Sequence, residues 1–183
     1  MTVSTGSATA PGTYAITVTG TGTRTTQTAT VTLTVTANAV ANGGFETGTF
    51  AGWTPSAAGG APLPTVVASA HSGGYAARVG STTTVTGNSK LQQTVSVPAG
   101  SPQLRFWYRP HCTSAGNKID VQIHSTDGAT LAKVLHACSN TDAWTSVSYA
   151  MSAYAGQAVV LWWQAHDEGG NPASFLLDDV TLG

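Results

Sequence analysis

Charge is what this chain has least of. Charged residues fill 8% of its 183 positions, seven Lys+Arg against eight Asp+Glu, where a soluble domain ordinarily carries about a quarter. A net charge of −1 argues against the strongly basic surface that nucleic acid requires, so no nucleic-acid partner is expected. Long apolar runs are missing too. None approaches the roughly 20 residues that cross a bilayer as a helix, so no membrane partner is expected either. The opening MTVSTGSATA has neither the basic segment nor the apolar stretch of a secretory leader. If the protein is secreted, the chain reads as an excised piece with Met1 as an added start.

Cysteine is nearly absent. Cys112 and Cys138 stand alone, with no CxxC pair and no nucleophile signature around either. In an oxidising, extracellular compartment, the expected location, they read as one structural disulfide. Catalytic patterns are lacking as well. There is no GxSxG, P-loop, HExxH or dinucleotide fingerprint, and His71, His111, His124, His136 and His166 show no metal spacing. A glycosidase needs a paired acid and base. With so few carboxylates the expectation is a protein without catalysis.

What is present is β-forming and turn-forming. Threonine occupies 15 of residues 1–38, a bias toward strand. TYAITVTG (Thr13–Gly20) and TATVTLTVT (Thr28–Thr36) alternate around TGTRTTQ. They predict a β-hairpin with Ile16 and Val18 on the face of Val31, Leu33 and Val35. Two strands make no stable domain alone. The PGTYAITVTG pattern resembles the last strands of bacterial immunoglobulin-like repeats, so residues 1–38 read as the tail of such a domain or a linker. Their open edges could mediate self-association.

From residue 39 on, short alternating runs recur between Gly, Pro, Asn and Ser. They are YAARVG (75–80), KLQQTVSVPAG (90–100), QLRFWYR (103–109), KIDVQIHS (118–125), TLAKVLHAC (130–138), WTSVSYAM (144–151), AVVLWWQAH (158–166) and SFLLDDVTL (174–182). Eight strands at near-regular spacing predict an all-β sandwich over residues 39–183, a jelly roll.

Four motifs carry a resemblance: NGGFETGTFAGW, AHSGGYAARV, LQQTVSVPAGSPQLRFWYR and LLDDVTL. They are similar to bacterial β-jelly-roll carbohydrate-binding modules of the calcium-bearing, galactose-binding-like type, appended to secreted hydrolases and peptidases. The resemblance spans about residues 42–183. It implies that the first and last segments meet at one edge of the sandwich around a structural Ca2+. Glu46 and Asp178 would supply carboxylates, and Gly44 and Ser72 carbonyls. The resemblance also puts Trp53 under the sandwich. Phe45 and Tyr75 read as core in the same way. Period-two alternation separately puts Asp178 on the inward side with Val180 and Leu182 and turns Asp179 out.

Alternation also sorts the aromatic strands. Leu104, Phe106 and Tyr108 should point in, leaving Arg105, Trp107 and Arg109 outside. Val159, Leu161, Trp163 and Ala165 should point in, leaving Val160, Trp162, Gln164 and His166 outside. Val121 and Ile123 should point in, leaving Asp120, Gln122 and His124 outside. Indoles stack on pyranose faces, and amides and guanidinium groups bond hydroxyls. Trp107, Trp162, Arg105, Arg109, Gln122, His124 and Gln164 are therefore the expected polysaccharide- or oligosaccharide-binding set on an exposed sheet face. A second class fits the composition: a structural, adhesion or self-assembling domain with no glycan ligand. The loop HDEGGNP (166–172) reads as a solvated turn.

Overall fold

Each alternating run becomes a strand. The computed structural model describes residues 12–35, 37–100 and 102–183. Two compact units divide between Asn38 and Ala39.

The first unit is the hairpin of β1 (Gly12–Thr21) and β2 (Thr26–Val35). Ile16 lies opposite Val31, Tyr14 opposite Leu33, and Gly12 opposite Val35. The apolar residues therefore share one face, as alternation predicts. Thr36, the expected last residue of the second strand, lies outside the described residues.

The second unit holds ten strands: β3 (Thr54–Gly59), β4 (Thr65–Val67), β5 (Ala76–Gly80), β6 (Thr86–Ser96), β7 (Gln103–Cys112), β8 (Lys118–His124), β9 (Thr130–Ala137), β10 (Thr145–Ala150), β11 (Ala158–Glu168) and β12 (Ala173–Leu182). Eight of them are the predicted runs. β3 and β4 were not legible, because TPSAAG has no apolar alternation and TVV is too short to carry one. The strands form two five-stranded sheets, β10-β7-β12-β5-β4 and β3-β6-β11-β8-β9, antiparallel at every pairing. Among the described residues no helix is long and apolar enough to cross a membrane.

The core lies between the inner faces. Phe106, Phe175, Leu91, Leu161, Ile119 and Ile123 are buried there. Trp163 is fully buried and meets Trp53 at 5.4 Å and Phe106 at 5.7 Å, both edge-to-face. Phe45 packs on Trp53 at 5.3 Å. Trp53 and Phe45 are core residues, as expected. Tyr75 is not: it is 40% exposed, in the loop one residue before β5. Cys112 and Cys138 are joined as a disulfide. Cys112 ends β7 of one sheet and Cys138 follows β9 of the other, so the bond ties the two sheets together.

The chain ends of the sandwich meet. Ala39 N–H donates to the Leu182 carbonyl and Val180 N–H to the Gly43 carbonyl, both at 2.9 Å. A Cβ at Gly43 would stand 2.0 Å from the Val180 oxygen, so only glycine allows this approach.

Candidate functional site

Alternation assigns in and out correctly on β7, β8 and β11. Leu104, Phe106 and Tyr108 are buried, as are Val121, Ile123, Val159, Leu161, Trp163 and Ala165. Yet β7 belongs to one sheet and β8 with β11 to the other. The expected single face is therefore corrected to two. Arg105, Trp107 and Arg109 point out from the first sheet. Gln122, His124, Trp162 and Gln164 point out from the second. Period two tells inside from outside within a strand and carries no information on which sheet the strand joins.

On the second sheet Trp162 sits at the centre, because β11 is the middle strand. Its cross-strand neighbours are Gln92 on β6 and Gln122 on β8. Gln164, two residues on, lies between Lys90 and Asp120. The His124 ring stacks on the indole at 5.1 Å and 26°, and Lys90 Nζ stands 5.7 Å from its centroid, within cation–π range. Around this pair the polar groups hold one another. His124 Nε2 is 2.9 Å from Gln122 Oε1, His166 Nδ1 is 2.8 Å from Asn88 Oδ1, and His136 Nδ1 is 2.6 Å from Asp120 Oδ1. Asp120 points outward as expected but is buried beneath His136. Burial, and then the Lys90 charge, pull His124 below the usual imidazole range, so it is neutral at pH 7.

Trp107 on the first sheet is occupied. His71 lies flat on it at 3.9 Å and 14°. His71 also holds Asp179 at 2.7 Å and meets Trp144 edge-on at 5.5 Å. Arg105 flanks Trp107 along β7, beside Ser146 and Ser148 of β10. Arg109 Nε donates to Asp142 Oδ1 at 2.7 Å.

The expected metal ligands gather at the chain-end corner. A Cβ at Gly44 would lie 3.7 Å from Glu46 Cγ and 3.8 Å from Asp178 Oδ1, so both carboxylates flank Gly44. Glu46 accepts from the N–H groups of Gly74 and Tyr75 at 3.0 and 3.1 Å. A Cβ at Gly73 would collide with that carboxylate at 2.5 Å, and Gly73 has φ +66. Asp178 is fully buried. Its Oδ2 accepts from His71 N–H at 2.8 Å and Ser72 N–H at 3.1 Å, and its Oδ1 from Asp179 N–H at 2.7 Å. Burial pushes its carboxyl above the usual range.

Simple alternation misplaces the reason for that burial. Asp178 pairs with Trp107, on the outward side, and a bulge at Asp179 resets the register before Thr181 pairs with Arg105. The 71–74 loop then covers Asp178. Asp179, at φ 50, points toward His71 and Ser72, not toward open solvent. In the HDEGGNP loop, residues 168–171 are exposed, as a solvated turn requires, whereas Asp167 is buried and accepts from the Gly169 and Ala173 N–H groups at 2.9 and 3.2 Å. Among the described residues no three His, Cys, Asp or Glu side chains form a metal cluster.

No protein-family model and no curated protein matches the chain. Solved structures do resemble it. TmCBM61 in complex with beta-1,4-galactotriose aligns with a TM-score of 0.62 at 21% identity, over 81% of this chain and 99% of that one. A family 16 carbohydrate-binding module aligns at 0.54 and 18% identity, over 80% and 99%. The K1 cleaved adhesin domain of Lys-gingipain from Porphyromonas gingivalis W83 aligns at 0.54 and 16%, over 76% and 95%. The fold of this chain is thus the β-sandwich found in carbohydrate-binding modules.

Proposed function

We propose that the protein is a non-catalytic glycan-binding module of a secreted multidomain bacterial protein, and that it binds through the Trp162 face. The observation that carries this reading is the centre of the second sheet. There an indole stands among Gln92, Gln122 and Gln164, a platform for a sugar ring flanked by amides that donate to and accept from hydroxyls. Both indoles carry a stacked histidine, but His71 covers Trp107 more closely, at 3.9 Å and 14°, than His124 covers Trp162, at 5.1 Å and 26°, which makes Trp107 the weaker platform.

The test is intrinsic fluorescence and calorimetric titration with neutral oligosaccharides, beginning with β-1,4-galactotriose. A saturable response lost in Trp162→Ala and kept in Trp107→Ala supports the reading. No response to any neutral glycan sinks it and leaves a structural or adhesion domain.

We further propose a structural Ca2+ at the corner of Gly44, Glu46, Ser72 and Asp178. Two features favour it. Oxygen donors are what this hard cation takes, and a buried Asp178 with no cationic side chain bonded to it gains from a positive charge. Bound there, the ion would fix the first and last segments. The expected outcome is a calcium-dependent rise in Tm, abolished in Glu46→Gln and Asp178→Asn. An unchanged Tm on adding calcium after chelation argues against the site.

A further inference from the structure

The first sheet carries a different chemistry. The chain has four arginines. Arg24 lies in the hairpin unit, and the other three, Arg78, Arg105 and Arg109, all stand on the outward face of the β10-β7-β12-β5-β4 sheet. β12 places two of them in one row: Leu176 is paired with Arg78 on β5 and with Arg109 on β7. Two guanidinium groups thus flank an apolar floor, since Leu176 is 8% exposed. In the next row Ser174 pairs with His111. Together they line a cavity of about 240 Å³. Asp142 closes one side, on the exposed loop between β9 and β10, through its bond to Arg109. Asp142 is the only carboxylate lining the cavity. Arg78 has no carboxylate partner among the described residues. Two cations therefore share one counter-charge.

We propose that this cavity is a second binding site, one that takes the carboxylate of a uronic-acid sugar. The guanidinium fork matches a planar carboxylate in two parallel hydrogen bonds. Arg78 is free to make that pair, and Arg109 makes it when Asp142 swings away. A bare inorganic anion would use the guanidinium groups alone. A sugar ring also uses the Leu176 floor and bonds its hydroxyls to Ser174 and His111. The proposal rests on the glycan-binding reading for its ligand class, but it uses the opposite face of the sandwich and none of the Trp162 residues. One chain would then present a neutral-sugar platform on one side and an acidic-sugar pocket on the other.

The experiment is calorimetric titration of the full chain with trigalacturonate, its methyl ester, β-1,4-galactotriose and inorganic sulfate. The proteins are wild type, Arg78→Gln, Asp142→Asn and Trp162→Ala. Arg78 is a half-buried surface residue, so Arg78→Gln should fold, which circular dichroism checks. Trigalacturonate should bind wild type and Trp162→Ala alike and weaken about tenfold in Arg78→Gln, as loss of a charged hydrogen bond implies. It should tighten in Asp142→Asn, where Arg109 loses its competitor, and weaken as salt rises. The ester should not bind at this site. Unchanged trigalacturonate affinity in Arg78→Gln overturns the proposal, as does sulfate binding as tightly as the uronate. Loss of uronate binding in Trp162→Ala also overturns it, because the ligand then sits on the other face. Failure of galactotriose alone, with trigalacturonate retained, overturns the Trp162 platform and not this pocket.

Discussion

His124 lies against the Trp162 indole and is the titratable group best placed to report on that face. Burial and Lys90 lower its pKa from the ordinary 6.5. The unfolded chain therefore binds a proton between 6.5 and that lower value while the native protein does not. The contribution is fully present above pH 6.5 and is lost as pH falls through the lowered pKa. Urea midpoints should accordingly drop between pH 7.5 and 5, and His124→Gln should flatten that part of the curve. A midpoint that rises over the same interval would contradict the assignment. Gly43 is a residue of another kind. An Ala there must displace the Val180 carbonyl that sits 2.0 Å from its Cβ, at a cost of roughly 1–3 kcal/mol. Equilibrium unfolding of Gly43→Ala measures it. Sequence alone named Asp178 as the buried acid, but on an alternation that the bulge at Asp179 breaks. A one-residue insertion in a strand leaves no mark in the pattern of apolar residues.

At the scale of elements, the disulfide joins β7 to the segment after β9, one strand from each sheet. β9 is an edge strand, held on one side by β8 alone. With a separation of 26 residues, the loop-entropy model gives the bond about 3.5 kcal/mol. Cys112→Ala with Cys138→Ala should lower stability by that order and speed amide exchange in β9 first, while β11 stays protected. Uniform loss of protection across both sheets would mean that β9 does not open separately. Eight strands, the inward sides of β7, β8 and β11 and the shared apolar face of the hairpin were legible, because each is a property of short contiguous runs. The assignment of strands to sheets was not. It follows from pairings between distant segments, such as β12 with both β5 and β7, and no local period encodes those. That is why Trp107 and Trp162, alike in their own strands, belong to opposite faces. Tyr75, expected in the core alongside Trp53 and Phe45, lies exposed in the loop just before β5, where an aromatic residue in the sequence does not tell core from surface.

Over the whole molecule, the division between Asn38 and Ala39 sets what each part can do alone. The sandwich is closed by its own bonds, since Ala39 N–H reaches the Leu182 carbonyl and Val180 N–H the Gly43 carbonyl. Among the described residues, no strand before Ala39 joins either of its sheets. The hairpin has two strands and few buried side chains, below what an isolated sheet needs to stand in water. A chain beginning at Ala39 should therefore still melt cooperatively, because both five-stranded sheets and the core between them lie after residue 38. It should also keep the Trp162→Ala-sensitive titration unchanged. A peptide of residues 12–35 should give no cooperative melt. If instead the shortened chain shows no cooperative melt or no sugar response, residues 39–183 do not make a self-sufficient binding domain.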